Sequence, residues 1–528
     1  MPGRLAVDFG TSNTVLCVWD EATQTATPVH VPDLGRDDSF EGRHASVVPS
    51  LIHYASGGQR WLGNQALARN LYHAPATFRW MKRYIAHRNP GGKRVGDKRI
   101  SHRQAGTDFL SSLLVFAAEE FDIGDEEIAL TVPVEAFEDY ENWLAGVAEE
   151  AGLPRFRIID EPSAAALGYG AHIQPNDVYL IFDFGGGTLD VSVVLVESQE
   201  ATEGGRRCRV LGKAGADVGG CRIDQWLFQE VLTRTGRTDA DDDVRPVSNA
   251  LLVACERAKE RLSEFETAGV SVVNPTTGAA LAAEFTRDDF EDILDRHDAF
   301  ATIDRTVRRA LNAAAERGYT ADHLKAVLMV GGSSRIPAVR KTIQRIFGRE
   351  RVMLDRPMDA VARGAAAFVA GVDFYDHIHH DYAVRYIDRQ KGDYDYMPVV
   401  KRGTPYPTEH PVARLTIKGA YEGQTQLGLI IFEVGRRRPR SAPAQVEIQY
   451  DPTGAARLVT VTPDEEEQRR YFQIGNPTFL TTDPPAKAGE PCFRVEFGID
   501  GNKRLLIGVW DMKKKAWTHR DYPMVKLT

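Results

Sequence analysis

Cysteine is scarce: Cys17, Cys208, Cys221, Cys255 and Cys492 are scattered over 528 positions without a CxxC spacing. That excludes a disulfide framework and a cysteine-based zinc site, and fits reduced thiols in a core. Long apolar runs are missing too: none approaches the ~18 residues of a membrane helix, so no membrane partner is expected. The N-terminus, MPGRLAVDFG, enters a strand-like run without a basic-then-apolar leader, so a cytoplasmic protein is expected. There is no basic excess. With a formal charge of −9, nucleic acid is not expected as a partner, because phosphate binding needs a basic surface. The basic run RRRPR at 436–440 reads as a solvated loop. No GxxxxGK[ST] loop occurs. DFG at 183–185 invites a protein-kinase reading, but HRD at 519–521 follows it instead of preceding it, and no VAIK-type strand is present.

What remains is ordinary globular composition, 43% apolar and 26% charged, in a chain long enough for several domains of roughly 100–200 residues each. Over 1–372, apolar β-branched runs (RLAVDFG, EEIALTVPV, VYLIFDFG, LKAVLMVGG) alternate with helical stretches at 105–121, 138–152, 247–266, 287–317 and 337–347. This predicts an α/β domain with parallel strands under helices. From 382 to 528 the texture becomes alternating strands broken by Gly and Pro, which predicts an all-β domain, with a segment near 436–470 that looks inserted. The 373–381 stretch between them carries His377, His379 and His380. Lacking cysteine or a carboxylate frame, it reads as a polar linker rather than a metal site.

One internal echo matters more. LAVDFGTSNTVLCVWD at 5–20 and LIFDFGGGTLDVSVVL at 180–195 share strand, Asp-Phe-Gly, small hydroxyl-bearing turn and strand, which predicts two halves of one plan whose turns meet in a cleft. Glycine at such a bend lets backbone N–H groups form an anion nest, and Thr11, Ser12 and Thr188 add hydroxyl donors. A carboxylate set against phosphates needs a cation between them, so Asp8 and Asp183 point to magnesium. A tight hairpin would explain one such turn, not an acid at the same offset in both. A third turn, VLMVGGSSRIP at 327–337, carries Arg335, whose planar guanidinium suits stacking on a base. CERAKERLSEF places Glu256, Lys259 and Ser263 on one helix face, either as a surface ion pair or as a ledge for ribose and adenine.

VDFGTSNT, TVP at 131–133, IIDEPSAAALGYG at 158–170, FDFGGGTLDVSVV, DVGG at 217–220, CERAKERLS, VLMVGGSSRIPAV and MDAVARGAAA at 358–367 together resemble the ATPase domain of the seventy-kilodalton heat-shock chaperones, within the actin and sugar-kinase superfamily. VVKRGTPYPTEH and FRVEFGIDGNKRLLIGVWD resemble that family's substrate-binding sandwich. The resemblance implies a two-lobed, duplicated actin-like ATPase domain followed by an all-β sandwich, with ATP/ADP and Mg2+ as cofactors. By matched position it implies that Asp8 and Asp183 hold magnesium through waters. It sets Gly10, Thr11, Ser12, Asn13, Gly185, Gly186, Gly187 and Thr188 around the phosphates. Lys82 in FRWMKRYI would steady the γ-phosphate and attacking water, with Glu161 nearby and Pro133 as a switch. Gly219, Gly220, Glu256, Lys259, Ser263, Gly331, Gly332, Ser333 and Arg335 would hold ribose and adenine, and Arg157 would serve domain coupling. Residue by residue, the catalytic set is Lys82, Glu161, Thr188 and Asp183.

The partners implied are extended or unfolded polypeptide, a J-domain co-chaperone and a nucleotide-exchange factor. Three departures from the family pattern stand out. Glu260 and Met358 replace an Arg and an acid near the base, so a modest nucleotide affinity is expected. The linker VDFYDHIHHDY lacks the family's leucine-rich run, which leaves the coupling open. The chain stops at Thr528, where relatives continue into a helical lid, so a lidless member with weaker peptide retention is expected. The rival readings are an ATP-binding regulator with little hydrolysis and a small-molecule kinase of the same superfamily. The kinase would need an acceptor pocket with its own base, whereas Lys82 and Glu161 match water-hydrolase positions.

Overall fold

The computed structural model describes residues 4–86, 91–121, 123, 127–133, 138–153, 155–170, 176–197, 207–370, 374–375, 378, 380–388, 393–402, 404, 408, 410–434, 445–450, 456–461, 471–500 and 504–527. They form two compact units. The first comprises Met1–Val134, Tyr140–Tyr375 and Val446–Val459, and the second Glu135–Asp139, Asp376–Gln445 and Thr460–Thr528.

The first unit is a mixed α/β structure built on two sheets of one plan. In one lobe, strand Arg4–Phe9 turns back antiparallel into Asn13–Asp20 and has Ile128–Val132 and then Phe156–Asp160 parallel on its other side. In the other lobe, Val178–Phe184 turns back into Leu189–Glu197 and has Leu324–Val330 and then Val352–Met353 parallel beyond it. The echo in the sequence is thus a repeated hairpin with the same neighbours. It also corrects the expectation of parallel strands: both sheets are mixed, because a short glycine turn can only join antiparallel neighbours. Val178–Phe184 is buried along its whole length, as a central strand covered on both faces must be.

The lobes meet through two alanine-rich helices, Glu161–Gly168 and Ala360–Val369. Their backbones approach so closely that a methyl on Gly168 would lie 1.8 Å from the Ala360 carbonyl oxygen, and one on Gly364 1.7 Å from that of Ala164. The SAAA and RGAAA motifs therefore serve a helix crossing, sharing one core cluster with residues of both sheets, such as Ala6, Ala129, Ile181 and Leu328. Arg157 stacks on Phe368 at the end of the second helix, 3.9 Å from the ring centre.

Helices His102–Glu120, Glu138–Glu150, Ser248–Glu264 and Pro337–Phe347 lie where the periodicity places them. The stretch 287–317 does not stay whole. It divides into Arg287–Arg296, started by a capping box between Thr286 and Asp289, and Ala299–Ala315, with Asp298 at φ 56° between them. An Asp tolerates that left-handed conformation and so can end a helix without a glycine. From the linker, Phe374–Tyr375 pairs parallel with Cys208 and Arg209 at the sheet edge; His377 and His379 lie outside the described residues, and His380 faces Glu433 at 3.5 Å.

The second unit is all-β among its described elements apart from the turns. One sheet runs Asp393–Val400, Asp381–Asp388, Gln424–Val434, Tyr471–Ala486; the other runs Ala413–Lys418, Pro491–Ile499, Arg504–Asp511, Ala516–Lys526. Both contribute to one apolar cluster that includes Tyr382, Leu429, Phe493 and Ile507. Of the segment 436–470, strands Gln445–Tyr450 and Ala456–Val461 form a two-stranded sheet, most of which, Val446–Val459, counts with the first unit; the rest, RRRPR and DEEEQRR included, lies outside the described residues.

Candidate functional site

A cavity of 360 Å³ opens between the lobes of the first unit, and every residue the sequence points to at the site lines it except Gly219. The two glycine turns face each other across it. A methyl on Gly186 would come within 2.5 Å of Ser12 Oγ, and one on Gly187 within 2.7 Å of Thr11 Oγ1. Gly185, Gly186 and Gly187 are absent from the positive-φ glycines, so Gly186 and Gly187 are there for closeness, not for a left-handed backbone. The hairpin reading is also correct as far as it goes: Gly185 N–H donates to the Thr188 carbonyl at 3.0 Å, and Phe184 registers with Leu189.

The loop carbonyls are used from behind. Gly220 N–H donates to Gly185 O at 3.0 Å, Cys221 N–H to Gly186 O at 2.7 Å, and Ser333 Oγ to Gly185 O at 2.8 Å. Gly219 packs against this loop, its missing side chain leaving room for Gly187 backbone at 2.5 Å. On the other side, the Gly10–Asn13 turn is tied down by Ser50, whose hydroxyl donates to Gly10 O at 2.8 Å and whose N–H donates to Ser12 O at 2.9 Å.

Acids gather at the inner end. Asp8 Oδ1 accepts from Thr131 Oγ1 at 2.7 Å, and Asp183 stands directly across the hairpin from Asp190. Lys82 is buried and paired with Glu161 Oε1, joining helix Met81–Ala86 to the first turn of Glu161–Gly168. Burial pulls the Lys82 ammonium down, but Glu161, Tyr140 and Asp8 push it higher still, so it stays charged. Burial, then the neighbouring Glu161, Asp190 and Asp8, lifts Asp183 well above the carboxylate range. Burial likewise lifts Glu161 against the pull of Lys82.

Such desolvated, mutually repelling carboxylates fit an oxygen-seeking divalent cation. No three His, Cys, Asp or Glu side chains among the described residues converge closely enough to grip an ion directly. Asp8 and Asp183 offer carboxylate oxygens, the donor type magnesium takes.

At the far end, Glu256 accepts from Tyr72 OH at 2.6 Å and from Arg79 at 2.9 Å. Lys259 reaches Asp224 at 2.8 Å and Gly220 O at 3.3 Å. Burial pushes Asp224 up to about 7 despite Lys259. Arg335 is engaged by Asp38, and Phe40 lies under its guanidinium at 4.7 Å.

Several of these partners escape a reading of motifs. Arg79 and Arg83 sit beside Lys82, and the three basic side chains reach three different acids: Glu256, Glu161 and, at 3.3 Å, Asp217. The cluster of three bases in FRWMKRYI was the available signal. Nothing in RDDSF, by contrast, marks Arg36–Phe40 as a wall of the cavity; that is a matter of tertiary placement.

A family model described as Hsp70 protein matches residues 92–377, more than half of the chain. Among curated proteins, a chaperone protein HscA homolog of Acidovorax sp. (strain JS42) is 29% identical over 391 residues, covering 69% of this chain and 57% of that protein. A second, of Variovorax paradoxus (strain S110), is 28% identical over 380 residues with the same coverage. The chain thus spans 57% of the length of these relatives. With duplicated sheets, facing glycine turns and a family match over more than half of its length, the chain belongs to the Hsp70 family.

Proposed function

We propose that the first unit is a magnesium-dependent ATPase and that the second binds extended or unfolded polypeptide, its grip set by the nucleotide. The observation that carries this reading is the meeting of two glycine turns, Gly10–Asn13 and Gly185–Thr188, beside a buried Lys82–Glu161 pair. The relatives' description as chaperones supports the polypeptide half.

The backbone N–H groups and hydroxyls of the turns would hold the β- and γ-phosphates, with Thr188 at the reacting end. Magnesium, held through waters by Asp8 and Asp183, would neutralise phosphate charge. Lys82 is already charged and fixed by Glu161, so its ammonium needs little reorganisation to meet charge developing on the γ-phosphate. Glu161, buried beside it, would orient the attacking water. Glu256, Lys259, Ser263 and Arg335 would bound ribose and base. A J-domain co-chaperone and an exchange factor are the corresponding partners.

Single-turnover hydrolysis by wild type, Lys82→Ala and Thr188→Ala, with and without an extended apolar peptide, tests the reading. Both variants are expected to be slow and peptide to change the wild-type rate. Equal rates for wild type and Lys82→Ala would sink the mechanism, and binding without turnover would favour a nucleotide-binding regulator.

A further inference from the structure

The hairpin formed by Arg36–Phe40 and Arg43–Pro49 belongs to the first lobe's sheet, yet its tip is fastened to the second lobe. Three ion pairs make the connection. Asp38 takes both terminal nitrogens of Arg335, Glu41 meets Arg340 at 2.7 Å, and Arg43 meets Asp355 at 3.4 Å. The first is the sheltered one, with side-chain exposures of 16% and 21% against 35% and 56% for Arg340 and Glu41. Shelter and two-pronged geometry are what make an Arg–carboxylate pair count.

Phe40 adds an apolar contact, packing against the second lobe's core cluster while its ring lies under Arg335. The hairpin closes tightly: Phe40 registers with Arg43, and the two residues between, Glu41 and Gly42, have φ of 48° and 79°, the tight turn whose twist matches paired strands.

This clasp sits on the cavity. Asp38 and Phe40 line it together with Arg335 and Met358. Phe40 covers one face of the guanidinium. Arg335 Nε is buried and finds no hydrogen-bond partner among the described residues, a donor left over after Asp38 has taken the other two nitrogens.

We propose that Asp38 and Phe40 are nucleotide-retention residues: by clasping Arg335 across the lobes they close the base end of the cleft and limit nucleotide release. A cleft with the acidic Glu260 at that end would hold its base by this mechanical closure in addition to direct contact. The proposal rests on the reading of the cleft as a nucleotide site.

Release of N-methylanthraniloyl-ADP from the full chain with magnesium, chased by excess ATP in a stopped-flow instrument, tests it. Asp38→Ala and Phe40→Ala are each expected to release the label about tenfold faster than wild type, corresponding to ~1.4 kcal/mol. Glu41→Arg should speed release as well, and adding Arg340→Glu should restore the wild-type rate. Wild-type release from Asp38→Ala, or from Asp38→Asn if the alanine variant fails to fold, would overturn the proposal.

Hydrogen exchange on the nucleotide-free chain gives an independent reading. Asp38→Ala should speed exchange in 36–40 and in 332–335 together, and unchanged protection across the cleft would refute the clasp. Failure of wild type to bind the labelled nucleotide would instead count against the nucleotide site itself, while the exchange result still decides whether the lobes are clasped.

Discussion

Lys82 and Glu161 form an ion pair buried between the helix Met81–Ala86 and the start of Glu161–Gly168. Removing Lys82 alone would leave Glu161 and Asp183 without the positive charge that offsets them. Such a break costs about 3–5 kcal/mol, whereas replacing both partners by apolar groups of similar size is close to neutral. Lys82→Ala is therefore expected to lower the urea midpoint of the nucleotide-free chain strongly, and Lys82→Met with Glu161→Leu to recover most of it. Hydrolysis should not recover in the double variant, staying about 10²–10³-fold down. If it does recover, Lys82 is structural and not part of the chemistry.

Magnesium should act through the acids. ADP at a hundredfold excess over its Kd stabilises a fold that binds it by about 2.7 kcal/mol. The magnesium-dependent share of that gain should vanish in Asp183→Asn and shrink in Asp8→Asn, as read from thermal unfolding with ADP in the presence of magnesium or of a chelator. An equal magnesium response in wild type and Asp183→Asn would move the ion elsewhere.

How much of this was legible in the sequence differs by residue. The paired glycine turns were, because a repeated Asp-Phe-Gly offset has no bland explanation for both copies. The close crossing of helices at Gly168 and Gly364 was visible as motifs but not as a reason, since the helix partner of a small residue is set by tertiary structure. The break at Asp298 was hidden because apolar periodicity continues across it and no glycine or proline marks it. The Asp38–Arg335 clasp was least legible: Arg335 reads as a stacking platform, and nothing local shows that an acid 297 positions earlier has taken it.

Acid should destabilise the first unit partly through His102. Its ring stacks on Tyr84 at 4.0 Å and its Nδ1 meets Gly91 O at 2.6 Å. Burial, aided by Lys93, pushes it down to about 3. The folded state thus holds the neutral ring, while the unfolded chain protonates near 6.5. The sign follows: its contribution is intact above about pH 6.5 and is lost as pH falls toward 3, at up to ~1.4 kcal/mol per unit. Stability measured by urea unfolding from about pH 7 down to about pH 4 should fall less steeply in His102→Phe than in wild type. Parallel curves would show that His102 does not titrate differently on folding.

The glycines of the cleft should separate by what a methyl meets. On Gly185 the nearest atoms are Asp183 Oδ1 at 3.8 Å and Thr188 O at 3.9 Å, ordinary contacts, and its φ is one any residue adopts. Gly185→Ala should then be close to neutral for nucleotide-free stability. On Gly186 the methyl would meet Ser12 Oγ at 2.5 Å, with Ser12 Cβ next at 3.4 Å. Overpacking of this kind costs about 1–3 kcal/mol, and since the offending atom is one hydroxyl, Ser12→Ala should return most of the loss. On Gly219 the obstacle is the Gly186 and Gly187 backbone at 2.5–2.8 Å, which cannot step aside, so no second-site change at Ser12 should help. The order Gly185, Gly186, Gly219 in increasing cost, with rescue confined to the middle member, would establish that these glycines keep two loops and a helix start close together. Equal costs at all three would mean the chain uses them for backbone freedom instead.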